Sequence, residues 1–131
     1  MAEKQKHTIL ILEDDQPLTR ALSDALVKNG FAVVTAATVE GGIKKLEHTK
    51  HIDVIWLDHY LLGTENGIDF VVKVKNHPEW KSIPIFVVSN TASAPSIRSY
   101  LELGVSNFYT KSDYDMTQII SDIEATLEKE E

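Results

Sequence analysis

The sequence predicts an α/β fold in which helices cover both faces of one doubly wound, five-stranded parallel sheet. Two observations lead to this prediction. Strand-like and helix-like segments alternate five times along the 131 residues, which is typical of parallel strands joined by crossover helices. Three of the strand-like segments, ILIL, VIWL and IFVV, are unbroken apolar runs, as expected for strands that are buried on both faces.

The five βα units account for the whole chain. There is no linker, no low-complexity tract and no repeat longer than one unit. The sequence therefore predicts a single domain over residues 1–131, and the natural-looking start and acidic end favour a stand-alone protein. The predicted strands are Thr8–Leu12, Ala32–Thr35, Asp53–Leu57, Ile85–Val88 and Ser106–Thr110.

The segments between and after the strands carry apolar residues at helical spacing. The first helix is expected to begin near Pro17 and to end near Gly30, because these residue types favour the two ends of a helix. Gly41 and Gly42 weaken the second helix. The predicted apolar stripes are Leu18, Ala21, Leu22, Ala25 and Leu26; Val39, Ile43 and Leu46; Ile68, Val71 and Val72; Ile97, Tyr100 and Leu101; and Met116, Ile119, Ile120, Ile123 and Leu127.

Composition limits the classes of function. The absence of cysteine excludes disulfides and cysteine-based zinc sites. A net charge of −7 disfavours direct binding to nucleic acid. No apolar run approaches the ~20 residues of a membrane span, and the polar start is unlike a secretion signal. We therefore expect a cytoplasmic protein that binds neither nucleic acid nor membrane.

Polar residues follow four of the predicted strands where those strands end. Ligands of open α/β sheets bind beyond the carboxyl ends of the strands, so these side chains are candidates for one shared site. Each also fits a structural role alone: Asp58 as a strand-end cap, Lys111 as a surface ion-pair partner and Ser89 as a turn residue. The candidates are Glu13, Asp14, Asp15, Asp58, Ser89, Asn90 and Lys111.

Clustered carboxylates repel one another and need a proton or a cation. An all-oxygen site suits Mg²⁺, which takes one or two carboxylates and keeps several waters. With a phosphoryl group in the site, Lys111 would neutralise its oxygens and the Ser89 hydroxyl would donate to one of them. Asp58 would then be the nucleophile, since carboxylates form acyl phosphates.

This arrangement resembles the receiver domain of bacterial response regulators, of the stand-alone chemotaxis type. The resemblance covers essentially the whole chain and implies a flavodoxin-like, three-layer fold with strand order 2-1-3-4-5. It implies that Asp58 is the phospho-acceptor and Lys111 the family's lysine. It also implies a site for Mg²⁺, with Mn²⁺ as a substitute, whose ligands are Glu13, Asp14, Asp58 and the backbone carbonyl of Tyr60.

The resemblance also assigns residues around the phosphoryl group. Ser89 matches the switch hydroxyl, and Phe108 matches the switch aromatic but lacks a hydroxyl. Tyr60, Asn90 and Thr91 would flank the phosphoryl group. His59 is expected to be a surface residue beside the site rather than a ligand.

Several positions depart from the family pattern. Leu62 stands near the place of a usual proline, and Asn90 replaces a small residue. Lys111-Ser112 replaces the usual Lys-Pro, so we expect a trans peptide there, because a non-proline cis peptide costs ~2.5–4 kcal/mol.

The implied function is phosphorelay signalling. A histidine kinase or histidine phosphotransfer protein would phosphorylate Asp58, and a downstream protein would bind the altered surface. The resemblance also suggests a homodimer through helix 4, strand 5 and helix 5, on a surface that includes Arg98, Tyr100 and Tyr109. The protein would catalyse only its own phosphoryl transfer and dephosphorylation and would not otherwise be an enzyme.

Two alternatives remain open at this point. The departures at Leu62, Ser112 and Phe108 would suit a phosphate-independent receiver that acts as a binding or dimerisation module. The other alternative is a protein on a related fold, either an aspartyl phosphatase or a flavin carrier. A haloacid-type phosphatase carries its nucleophile on the first strand, which argues against the former. The acidic EDDQP loop would repel the phosphate of a flavin, which argues against the latter.

Overall fold

The computed structural model of the protein describes residues 6–90 and 93–129. Its strands agree with the predicted ones to within one residue at each end. They form one parallel sheet in the order second, first, third, fourth, fifth, which confirms the predicted topology. The strands are β1 Thr8–Leu12, β2 Ala32–Ala36, β3 Val54–Leu57, β4 Ile85–Ser89 and β5 Asn107–Thr110.

Five α-helices follow the strands as predicted, and the first four each begin after a residue whose side chain accepts a backbone N–H. Such caps satisfy N–H groups that have no partner inside the helix. A short 3₁₀ turn, Lys111–Asp113, was not predicted. The helices are α1 Gln16–Lys28, α2 Val39–His48, α3 Gly67–Lys75, α4 Ala94–Glu102 and α5 Met116–Lys129.

The sheet separates two hydrophobic layers. On β1, Ile9 and Ile11 face the layer that contains residues of α1 and α5, whereas Leu10 and Leu12 face the layer formed with α2, α3 and α4. Every residue of β3 and β4 is buried. The unbroken apolar runs of these strands are thus explained, because side chains on both faces are covered by helices.

The carboxyl ends of the central strands lie level with one another. Leu12 pairs with Leu57, and Leu57 pairs with Val87. One residue further, the Asp58 N–H donates to the Leu12 carbonyl over 2.9 Å and the Glu13 N–H donates to the Ala36 carbonyl over 3.1 Å. The sheet hydrogen bonding therefore continues past the strands and holds Glu13 and Asp58 at the same edge.

The expected dimer surface is wrong in two of its residues. Tyr100 is 0% exposed and Tyr109 is 2% exposed, so neither can line a surface. Each buried ring has a partner for its hydroxyl: Tyr100 Oη lies 2.6 Å from His59 Nδ1, and Tyr109 Oη donates to Asp122 Oδ2 over 2.6 Å. A tyrosine with its hydroxyl paired in this way is well suited to a core. Arg98 remains exposed.

No helix in the part of the chain that the structure describes is both long enough and apolar enough to span a bilayer.

Two neighbouring positions on α1 test the orientation of the helix. Leu26 is 0% exposed and lies in the layer beneath α1, whereas Val27 is 55% exposed. We expect Leu26→Ala to lower the free energy of unfolding by about 2–5 kcal/mol, because it leaves a cavity. Val27→Ala, the matched control, should change it by less than about 0.5 kcal/mol. Urea denaturation measures both, and equal losses would contradict the assigned helix face.

Candidate functional site

Three carboxylates gather at the carboxyl edge of the sheet. One oxygen each from Glu13, Asp14 and Asp58 lies within 4.8 Å of the others. Glu13 and Asp58 are buried and Asp14 is partly exposed. The carboxylates that follow the first and third strands therefore lie close together at one edge of the sheet.

Lys111 brings a positive charge to the cluster. It begins the 3₁₀ turn after β5, and its ammonium donates to Glu13 Oε1 over 2.7 Å and to Asp58 Oδ2 over 3.2 Å. One ammonium group is thus paired with two of the three carboxylates. The site keeps an excess of negative charge that a cation can neutralise.

The pKa values reflect this crowding. Burial, together with a hydrogen bond and the charge interaction with Asp58, raises the pKa of Glu13 from 4.5 to about 7 even though Lys111 opposes the change. For Lys111, burial alone would lower the pKa, but the hydrogen bond to Glu13 and the charges of both carboxylates raise it overall. Lys111 is therefore held as an ammonium, while Glu13 is easily protonated until another positive charge arrives.

Asp58 has one buried oxygen with nothing to bind. Asp58 Oδ1 is the buried side-chain atom that, within residues 6–90 and 93–129, makes no hydrogen bond. A buried, unpaired carboxylate oxygen is costly and usually marks a functional group or an ion. Oxygen-only ligands suit Mg²⁺ and similar hard cations. The donor set, the excess charge and the unpaired oxygen all fit such a cation.

The other predicted site residues differ in how exposed they are. Ser89 ends β4 and is buried, whereas Tyr60 is exposed and its ring lies edge-on to the His59 ring. Asn90 is exposed, and its Oδ1 accepts a hydrogen bond from the Ser112 N–H over 3.2 Å. Thr91 lies outside the described residues.

The structure shows the conformation and contacts of the residues that depart from the family pattern. The Lys111–Ser112 peptide is trans, as expected. Leu62 is exposed and its N–H donates to the Ala37 carbonyl. Phe108 packs against the layer formed with α2, α3 and α4, and its ring centroid is 5.8 Å from that of Tyr100.

The expectation that His59 is a surface residue is wrong. His59 is 8% exposed, and its Nδ1 lies 2.6 Å from Tyr100 Oη. Burial lowers the pKa of His59 and raises the pKa of the Tyr100 hydroxyl, so both groups are kept neutral. Sequence reasoning missed this pair because its members are 41 residues apart and belong to different elements. The apolar residues on both sides of Asp58 and His59 were the available signal.

Comparison with known proteins agrees with the fold. The sequence model of the response regulator receiver domain matches residues 9–124. A structure described as a response regulator receiver domain protein (CheY-like) from Methanospirillum hungatei superimposes with a TM-score of 0.86. It covers 95% of this chain and 96% of that chain at 21% identity, a level that shows the shared fold.

Curated relatives include both short and long proteins. A cyclic di-GMP phosphodiesterase of Thermotoga maritima is 33% identical over 105 residues, and KdpE, the KDP operon transcriptional regulatory protein of Escherichia coli, is 29% identical over 103. Each match covers 79% of this chain, but only 27% and 44% of those relatives. Chemotaxis protein CheY1 of Helicobacter pylori is 26% identical over 106 residues, which cover 79% of this chain and 83% of CheY1. With the family match extending over most of its length, the chain belongs to the response regulator receiver domain family.

Proposed function

We propose that this receiver domain accepts a phosphoryl group on Asp58 and thereby changes how it binds another protein. The observation that supports this most directly is the state of the Asp58 carboxylate. It is buried, one oxygen is unpaired, and the other lies 3.2 Å from the Lys111 ammonium. A carboxylate with this environment is poised to form a covalent bond rather than to stabilise the fold.

The metal proposed for the site is Mg²⁺, with Mn²⁺ as a substitute, since both are hard cations that prefer oxygen. Glu13, Asp14, Asp58 and the backbone carbonyl of Tyr60 would hold it. When bound, the ion neutralises charge on the carboxylates and on the phosphoryl oxygens.

The transfer itself requires little of the protein beyond position and charge. An oxygen of Asp58 forms a bond to phosphorus while the phosphorus–nitrogen bond of a phosphohistidine in the donor protein breaks. The imidazole leaves with the electron pair and takes up a proton. Lys111 neutralises a phosphoryl oxygen, and the Ser89 hydroxyl donates to another.

The proposed partners follow from the family. A histidine kinase or a histidine phosphotransfer protein supplies the phosphoryl group, with Tyr60 and Asn90 flanking it. Phe108 is the proposed switch aromatic, which acts through packing because it has no hydroxyl. The proposed output surface, also available for a homodimer, comprises α4, β5 and α5. Its exposed residues include Arg98 and Leu101, but not Tyr100 or Tyr109.

A phosphate-independent binding module is the second candidate. The ion pairs of Lys111 with Glu13 and Asp58 favour it, because they can hold the strand ends together without any transfer chemistry. The two candidates differ in whether a covalent adduct forms.

Acetyl phosphate tests the phospho-acceptor directly. With Mg²⁺ present, the wild-type protein should gain a single phosphoryl group by intact mass spectrometry, and Asp58→Asn should gain none. Lys111→Ala should form the adduct about 100-fold more slowly, because it removes a charge that stabilises the transition state.

Asp15→Asn is the matched control for this experiment. Asp15 is exposed and its carboxylate caps α1 by accepting from the Leu18 N–H. Asparagine caps helices about as well as aspartate, so the variant should still be phosphorylated. If the wild-type protein forms no adduct, the phosphate-independent module becomes the better description.

Stability as a function of pH tests the metal site without any transfer chemistry. Without metal, the folded pKa of Glu13 is about 7, against 4.5 for the free residue. The folded state therefore holds the proton more tightly, and this stabilisation is present below pH 4.5 and is lost as the pH rises through about 7. Between pH 5 and pH 8 we expect the wild-type protein to lose up to about 3 kcal/mol relative to Glu13→Gln.

Added Mg²⁺ should reverse this difference. At pH 8 the ion should raise the melting temperature of the wild-type protein, and a concentration of 100 times Kd corresponds to about 3 kcal/mol. At pH 5 the effect should be smaller, because the proton on Glu13 competes with the metal. Glu47→Gln, at an exposed position on α2, is the control and should respond like the wild-type protein. An equal response of Glu13→Gln to Mg²⁺ would remove Glu13 from the proposed ligands.

A further inference from the structure

A buried hydrogen bond joins the residue next to Asp58 to helix α4. His59 follows Asp58 directly, and its Nδ1 lies 2.6 Å from the hydroxyl oxygen of Tyr100. Tyr100 is fully buried and His59 nearly so. A hydrogen bond between two buried side chains is costly to break, because each polar group then lacks a partner. The loop after β3 and helix α4 are therefore connected by a specific contact as well as by apolar packing.

The Tyr100 hydroxyl is tightly packed against Gly67. A side-chain carbon added at Gly67 would overlap the Tyr100 hydroxyl and would lie 3.0 Å from the Asp58 carbonyl oxygen and 3.1 Å from His59 Cα. Gly67 also donates its N–H to the His59 carbonyl over 3.0 Å. The Tyr100 hydroxyl thus lies against the start of α3 close to the backbone of Asp58, where only glycine fits.

The contact continues from Tyr100 to the last strand. The rings of Tyr100 and Phe108 are 5.8 Å apart at an interplanar angle of 41°, which is a normal aromatic contact. A continuous series of side chains therefore runs from His59 through α4 to β5. Phe108 has no hydroxyl, so the hydrogen bond in this series is the one between His59 and Tyr100.

We infer that His59 and Tyr100 are positioning residues whose hydrogen bond couples the state of Asp58 to α4. This inference rests on the proposed phosphorylation of Asp58. A phosphoryl group adds volume and negative charge beside His59. Because hydrogen bonds tolerate only small changes in distance and the packing is tight, a shift of His59 either moves Tyr100 with α4 or breaks the bond. Either result changes the position of α4 or the contacts that hold it.

A second buried tyrosine supplies a matched control. The Tyr109 hydroxyl donates to Asp122 of α5 over 2.6 Å, in the layer on the opposite face of the sheet. Tyr100→Phe and Tyr109→Phe therefore remove the same atom from equally buried rings. Only the first removal affects the series that begins at His59.

The test measures hydrogen–deuterium exchange across α4 by mass spectrometry. Each protein is compared with Mg²⁺ alone and with Mg²⁺ plus beryllium fluoride, which mimics an acyl phosphate. Intact mass after treatment with acetyl phosphate shows separately whether Asp58 reacts. In the wild-type protein and in Tyr109→Phe, beryllium fluoride should change exchange in α4. In Tyr100→Phe, the change should be about threefold to tenfold smaller while Asp58 still reacts.

A second pair of variants covers the case in which Tyr100→Phe does not fold. His59→Leu removes the hydrogen-bonding atom, and His59→Asn retains one near the position of Nδ1. We expect the α4 response to fall in His59→Leu and to be partly restored in His59→Asn, a difference that loss of packing alone would not produce.

The outcomes separate this inference from the proposed function. A wild-type response in Tyr100→Phe, or no α4 response in the wild-type protein whose Asp58 reacts, overturns the coupling and leaves phosphorylation standing. Absence of any reaction at Asp58 in the wild-type protein overturns both.

Discussion

The ammonium group of Lys111 lies between two carboxylates that are both removed from water. Glu13 Oε1 is 2.7 Å away and Asp58 Oδ2 is 3.2 Å away, and without the ammonium two like charges would face each other in a poorly solvated place. Lys111 can reach them only because β1, β3 and β5 run in the same direction and end at the same edge of the sheet. The site therefore depends on the strand order. In turn, the stability of this edge of the sheet depends on the ion pairs that Lys111 forms.

The parts of this arrangement that could be predicted are those with a local signal. Unbroken apolar runs indicated the central strands, and the acidic or basic residues directly after them indicated the cluster of Glu13, Asp14, Asp58 and Lys111. Parallel strands bring such residues to one edge of the sheet, and the strand order implied by the resemblance places them side by side. The same local signals predicted the strand boundaries to within one residue.

The missed features depend on side-chain contacts between distant elements. Nothing near His59 in the sequence indicates that it meets Tyr100, and nothing near Tyr109 indicates Asp122. Both tyrosines were assigned to the dimer surface by resemblance alone, because they belong to the fourth helix and the fifth strand. In the structure the Tyr100 hydroxyl instead pairs with buried His59, and the Tyr109 hydroxyl donates to partly buried Asp122 on the other face of the sheet. Helices α4 and α5 are thus held by one directional bond each in addition to apolar packing.

The hydrogen bond between Asn90 and Ser112 has a consequence for how related sequences can differ. The donor is the backbone N–H of Ser112, and a proline at that position would have none. The asparagine and the non-proline residue after Lys111 are therefore two halves of one contact between the loops that follow β4 and β5. A proline at position 112 would remove the donor and separate the two loops, whereas at position 90 only a residue with an acceptor oxygen can keep the contact.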